Sequence, residues 1–249
     1  DEQYFADTHH MSVSKFKAFE YCEVSAMTTK QESSTAILVG SYVDAYISGV
    51  LEQFIEKHPE IISSRGATKG ELKSDYKQAD EICEFIDNDL LLSKFLSGEK
   101  QVVFTGEIFG VPTKIKVDSY HEGKAIVDLK VMASITNRSG EYYDFISAWG
   151  YDLQMAVYQK VVEENTGLQL PCYIAVVTKE NPINSAVIQI PQLVLDKALY
   201  RYESGVERYY QVMQGKVEPD GCGKCKACIS LRKQTPLISM EDFVDIASL

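Results

Sequence analysis

The chain has 249 residues, 45% hydrophobic and 24% charged, ordinary values for a globular protein long enough to bury a sizeable core. Its net charge of −11 argues against a protein that coats nucleic acid, but not against an enzyme with a local basic groove and an acidic metal site, because whole-chain charge averages over both. No apolar run reaches bilayer length and the polar opening Asp1–His10 is no signal peptide, so the expected compartment is the cytoplasm, where six cysteines stay reduced and clustered thiols favour metal over disulfide.

Ser12 or Ser14 is expected to cap a helix running to about Cys22, with Phe16, Phe19 and Tyr21 mostly inward. A second helix is predicted from about Ser34 to Lys57, because Ile37, Leu38, Val43, Ile47, Leu51 and Phe54 recur at helical spacing; Pro59 stops it. A loop over 60–69 leads to a third helix, about Lys69 to Leu96, with a break near Asn88. The period then changes to two: strands are predicted over 101–109, 111–120 and 124–131, the last pair joined by His121-Glu122-Gly123. Residues 132–143 form a polar loop of active-site type. A helix over about 145–165 ends at Thr166-Gly167, strands follow near 172–178 and 185–190, and a last helix spans about 191–215. This order predicts an α/β (α+β) fold: a mixed central sheet flanked by helices, with a cysteine-rich C-terminal tail.

Two groups of residues carry chemistry. In the tail, Cys222, Cys225 and Cys228 make two overlapping C-x-x-C spacings within seven residues, and thiolates so spaced can converge on one metal or one iron–sulfur cluster. Three ligands leave such a site one short. Cys83 and Cys172 lie in regular elements and read as inert core thiols. In the meander, Asp128 and Lys130 are two apart on a strand and project from one face, with Asp118 brought beside them by the hairpin. Two carboxylates and an ammonium together are costly unless something uses them, and hard carboxylates suit Mg²⁺ or Mn²⁺. The lysine could orient the attacking water or balance transition-state charge. An ordinary solvated Asp–Lys pair is the bland alternative, but Ala-Ile-Val-Asp-Leu-Lys-Val otherwise looks like a buried strand.

Five stretches in order resemble the PD-(D/E)XK nuclease superfamily, and within it the RecB/RecE-type exonucleases of the exodeoxyribonuclease VIII kind. They are Ser12–Cys22, Gly40–Ala45, the pair Lys116-Val117-Asp118 and Ile126–Lys130, Asp152–Gln159 as the Q-x-x-x-Y helix, and Cys222–Cys228. The resemblance implies a restriction-endonuclease-like nuclease domain over 1–218, with N-terminal helices over 12–97 and a catalytic core over 100–215. A tail over 219–249 would pack on the first helix. It implies Asp118 and Asp128 as metal ligands, the Leu129 carbonyl as a further one, Lys130 as the catalytic lysine, and Gln154 and Tyr158 as positioning groups on one helix face. Glu107 matches a family acidic position. Asp44 stands where the family has a metal-binding histidine. Relatives with an iron–sulfur cluster draw one N-terminal cysteine to three C-terminal ones, which implies Cys22 as fourth ligand of a [4Fe–4S] cluster. The short last spacing leaves zinc open. The implied activity is Mg²⁺- or Mn²⁺-dependent exonucleolytic cleavage of DNA ends in phage-type recombination, with a single-strand annealing protein as partner, possible homo-oligomers and no membrane. A non-catalytic DNA-binding module, or a zinc or iron–sulfur regulatory protein, are the competing readings.

Overall fold

A computed structural model describes residues 2–28, 34–234, 237, 239 and 240. Its helices are α1 (Glu2–Ala6), α2 (Val13–Tyr21), α3 (Glu23–Thr28), α4 (Thr35–Ile47), α5 (Leu51–Lys57), α6 (Ser74–Asn88), α7 (Leu90–Phe95), α8 (Phe145–Ala148), α9 (Tyr151–Thr166), α10 (Gln192–Met213) and α11 (Lys226–Leu231), with a 3₁₀ turn over Pro59–Ile61. The strands are β1 (Met11–Ser12), β2 (Glu99–Ile108), β3 (Val111–His121), β4 (Ala125–Met132), β5 (Cys172–Thr178) and β6 (Ser185–Gln189). No helix among the described residues is long and apolar enough to cross a membrane. The last part of the predicted tail, residues 241–249, lies outside the described residues.

The strands form one mixed sheet in the order β1-β3-β4-β5-β6, with β2 along the other edge of β3. β2 and β3 make an antiparallel hairpin whose turn residues Phe109 and Gly110 both have positive φ, 50° and 74°, the backbone a tight two-residue hairpin turn requires. β4 and β5 run parallel, so the connection between them must cross over, and α9 provides it. Central β5 reads Cys-Tyr-Ile-Ala-Val-Val-Thr without alternation and is buried along almost its whole length, as expected of a strand covered on both faces.

Two cores cover the two faces. On one, Ile115, Val117, Ile126 and Ile174 meet Val157 and Val161 of α9, Tyr202 and Tyr209 of α10, and Phe16 of α2. Phe16 lies 4.7 Å from the Tyr202 ring and 6.0 Å from that of Tyr209. On the other face, Val127, Leu129, Ala175 and Val177 meet Val39 and Val43 of α4 and Ile82 and Ile86 of α6. Burying each of these valine, leucine, isoleucine and phenylalanine side chains contributes roughly 1.5–3 kcal/mol.

Several predicted helices are interrupted, each for a local reason. The helix expected over 34–57 divides into α4 and α5 at Gly49, whose φ of 72° no continuing helix adopts. The third starts at Ser74, and Asp89 ends α6 by capping α7, its carboxylate accepting from the N–H groups of Leu91 and Leu92. The helix expected over 145–165 divides into α8 and α9 at Trp149-Gly150, where Gly150 has φ 63°. In the first helix Tyr21 points outward, 72% exposed, against the inward expectation.

Candidate active site

The sheet itself creates the site. β3 gives one edge to β2 throughout, so β1 and β4 share the other: β1 pairs at Thr113–Lys114 and β4 only at Ser119–His121. The β3–β4 ladder stops at Ser119↔Val127, one residue short of Asp118 and Asp128. At that fork the Leu129 N–H, lacking a β3 carbonyl, donates to Asp118 Oδ2 at 2.9 Å. A side chain thus replaces a ladder bond, and a half-buried carboxylate is fixed beside the strand that carries Asp128.

Asp128 is 2% exposed. Its Oδ1 accepts from Gln154 Nε2 at 2.7 Å, while Oδ2 lies 2.5 Å from Lys130 Nζ. Oδ2 is buried, with that ammonium as its partner. Burial alone would pull the Lys130 ammonium down, but the charges of Asp128 and Asp118 overcome it and hold the group above the usual lysine range. The ammonium also lies 4.8 Å from the Tyr151 ring centre.

α4 brings in the third carboxylate, and a glutamine links it to the others. Gln101 falls between the Lys100↔Ser119 and Val102↔Val117 pairs of the β2–β3 ladder, beside Asp118. Its Nε2 donates to Asp44 Oδ1 at 2.7 Å and to Asp118 Oδ1 at 3.2 Å. Its φ of 54° costs about 1–2 kcal/mol for a residue with a side chain, and two hydrogen bonds to carboxylates, at about 1.5–3 kcal/mol each, offset it. Burial, then the charges of Asp128 and Asp44, push the Asp118 carboxyl well above the carboxylate range. Burial, then mainly Asp128, raises Asp44, with Lys116 and Lys130 opposing. Tyr158 is buried under the cluster, and burial and the same aspartates raise its hydroxyl further. Carboxylates that resist ionisation together and hard oxygen donors throughout fit a divalent cation of the Mg²⁺ type.

Of the residues singled out from the sequence, the structure brings Asp44, Asp118, Asp128, Leu129, Lys130, Gln154 and Tyr158 together. Glu107 it does not. Glu107 pairs with Pro112 near the hairpin turn, six residues along β3 from Asp118, which is about 20 Å of strand. It is exposed there. Gln101 occupies the corresponding place at the carboxylates, and a lone glutamine in an alternating strand carries no sequence signal. Lys17 was also unmarked. Its Nζ donates to the Trp149 carbonyl at 2.9 Å. Burial, then the neighbouring Lys130 charge, lowers it to about 8. A cavity of about 600 Å³ opens over the cluster, lined by Asp44, Asp118, Lys130, Ser134 and Lys179 among others.

A second assembly lies away from the carboxylates. Cys22, Cys222, Cys225 and Cys228 place their four Sγ atoms within 4.8 Å of one another, so they could hold a metal. The Cys22–Cys228, Cys22–Cys225 and Cys222–Cys228 sulfurs are 3.5, 3.6 and 4.0 Å apart. Four thiolates around one ion at about 2.3 Å form a tetrahedron with edges of about 3.8 Å. Backbone N–H groups of Ser25, Cys225 and Cys228 point at the sulfurs of Cys22, Cys222 and Cys225, and such donors at Cys222 lower its thiol to about 6. The tail is fixed beside them: Arg208 donates twice to Glu23 at 2.7 Å, and the Asp220 N–H donates to Glu23. Cys83 and Cys172 are buried, and burial pushes both thiols up to about 12.

A family model described as "PDDEXK-like domain of unknown function (DUF3799)" matches residues 12–231. The crystal structure described as a "Putative exonuclease" from Eubacterium rectale is 44% identical, with a TM-score of 0.86, covering 96% of this chain and 94% of its own. A second solved structure, described as SSO0001, is 12% identical with a TM-score of 0.31, covering 78% of this chain and 84% of its own. No curated protein matches.

Proposed function

Since the chain belongs to the DUF3799 family of PDDEXK-like domains, we propose that it is a divalent-metal-dependent nuclease that hydrolyses phosphodiester bonds at DNA ends. One observation carries the reading: Asp118 and Asp128 face each other at the fork of β3 and β4 with Lys130 Nζ 2.5 Å from Asp128. The similarity to the exonuclease-described neighbour supports the preference for ends.

In this reading Asp118 and Asp128 hold Mg²⁺ or Mn²⁺, with Asp44 and the Leu129 carbonyl as further oxygen donors. Bound there, the ion supplies an activated water and neutralises phosphoryl charge. The protein's own groups do the rest. Lys130, kept protonated by its aspartates, acts as a fixed cation beside the reacting phosphoryl oxygens rather than as a proton acceptor. Gln154 holds Asp128 in one orientation through its 2.7 Å bond. Tyr158, buried and neutral, walls the site beneath. Resected ends would feed a single-strand annealing protein in phage-type recombination.

For the tail, 219–249, we propose a structural role: Cys22, Cys222, Cys225 and Cys228 bind one tetrahedral ion of the zinc type. The sulfur separations near 3.8 Å support this over an iron–sulfur cluster, in which each thiolate binds a different iron and the sulfurs stand further apart.

The test of the activity is digestion of end-labelled linear DNA and of closed circular DNA in Mg²⁺ or Mn²⁺ by the wild type and Asp128→Asn. Loss of linear DNA alone, abolished in the variant, is expected. Equal activity of the two proteins refutes the assignment.

A further inference from the structure

The cavity over the carboxylates has a side that hydrolysis does not require. Tyr143, Trp149 and Tyr151 line it, with Lys179 on the same cavity. Trp149 is 58% exposed and Tyr143 38%, yet the corner that carries them is pinned. Gly150 turns the chain with φ 63°, the Trp149 carbonyl accepts from Lys17 Nζ, and Asp144 caps the preceding turn through the Ser147 N–H at 3.0 Å. Lys179 is equally fixed: its N–H donates to the Met132 carbonyl and its own carbonyl accepts from Gln78, both at 2.8 Å. Exposed rings on an immobilised backbone are costly in water and useful as a platform.

The chemistry around them selects the occupant. Bases stack on aromatic faces irrespective of sequence, and ammonium groups attract the phosphates that flank them. Rings interleaved with Lys130 and Lys179 on this cavity therefore match a chain of alternating bases and phosphates. Size decides between one strand and two. A cavity of about 600 Å³ is a box about 8 Å on a side, room for one nucleotide but not for a base pair carrying both of its backbones. A base that lies flat on this wall has left its helix, because within a duplex both faces of a base are already stacked on its neighbours.

We infer that Trp149, with Tyr143 and Tyr151, forms a stacking subsite for an unpaired base of the strand being cut, so that the substrate is a single-stranded or frayed DNA end. The inference rests on the nuclease reading for its substrate but is testable without cleavage. Trp149 is the chain's one tryptophan, so its emission reports the subsite directly. In chelator, short oligothymidylate should quench that emission, and a relaxed closed-circular duplex, which has neither ends nor unpaired loops, should not. By anisotropy with a labelled oligonucleotide, Trp149→Ala should lose on the order of tenfold in affinity, and Trp149→Phe should restore it. Quenching without Asp128-dependent cleavage in Mn²⁺ overturns the nuclease reading and leaves the subsite. Asp128-dependent cleavage without quenching, equal quenching by the closed duplex, or full affinity in Trp149→Ala overturns the subsite.

Discussion

Replacing Cys22 by serine removes the one sulfur that ties the tail site to the beginning of the fold. Cys22 and Cys225 are 203 residues apart. Closing a loop of that length removes about 18 cal/mol/K from the unfolded chain, or about 5 kcal/mol at 25 °C. The three tail cysteines remain able to hold an ion locally in folded and unfolded chain alike, so this long-range term is what the substitution deletes. For a chain of 249 residues, unfolding entropy of about 2.1 cal/mol/K per residue converts that loss into a fall in Tm of about 10 °C. The variant should still fold, because Arg208, Glu23 and Asp220 hold the tail by other bonds. The assay is thermal denaturation of zinc-loaded wild type and Cys22→Ser, each with and without a strong chelator, with metal content measured beforehand. Chelation should cost the wild type about 10 °C and the variant much less. A wild-type Tm indifferent to chelator, or a variant as sensitive as the wild type, refutes the cross-link. About four irons per chain refutes the single-ion site.

Three further outcomes follow from the carboxylate cluster. Asp128→Asn and Lys130→Met should each lower cleavage by at least about a thousandfold, since the charge stabilisation at stake is several kcal/mol; initial rates in Mn²⁺ check this. Gln101→Ala should lose both amide bonds yet keep the strained backbone. In chelator it should be less stable than wild type by about 3–6 kcal/mol, and less stable than Gln101→Gly by about 1–2 kcal/mol; urea melts distinguish the three. Asp118 and Asp44 have carboxyls raised above their unfolded values, so their stabilising protonation is complete below the unfolded value near pH 4 and is lost as pH rises through the folded ones. In chelator, Asp118→Asn should therefore gain stability over wild type as pH rises from 4 to 8. Saturating Mn²⁺ should narrow the gap by stabilising the wild type; a gap independent of pH contradicts the reasoning.

Much of this architecture is written in local patterns. The change from helical to alternating period near residue 100, the buried run around Asp128 and the spacing of Gln154 and Tyr158 each depend on neighbours in the chain. What the sequence hid depends on geometry between distant segments. Gln101 matters because β2 sets it against Asp118 while α4 delivers Asp44 from 57 residues away. Lys17 matters because α2 packs under the Trp149 corner. Glu107 matched a family acidic position, and only the register, which pairs it with Pro112, shows that it lies six positions along the strand from Gln101. The breaks at Gly49 and Gly150 were hidden because apolar spacing continues across both, and positive φ leaves no trace in hydrophobic period.

Gln101 also bears on the order in which such a protein matures. Its amide sits between Asp44 and Asp118, donating to both where a cation would otherwise be needed to reconcile them. The described shape is held by those amide donors, and in the proposed reading an ion would enter afterwards. On the proposed metal-dependent reading the protein would be shaped before it is active, and the ion concentration it needs would depend on how firmly one glutamine holds two aspartates.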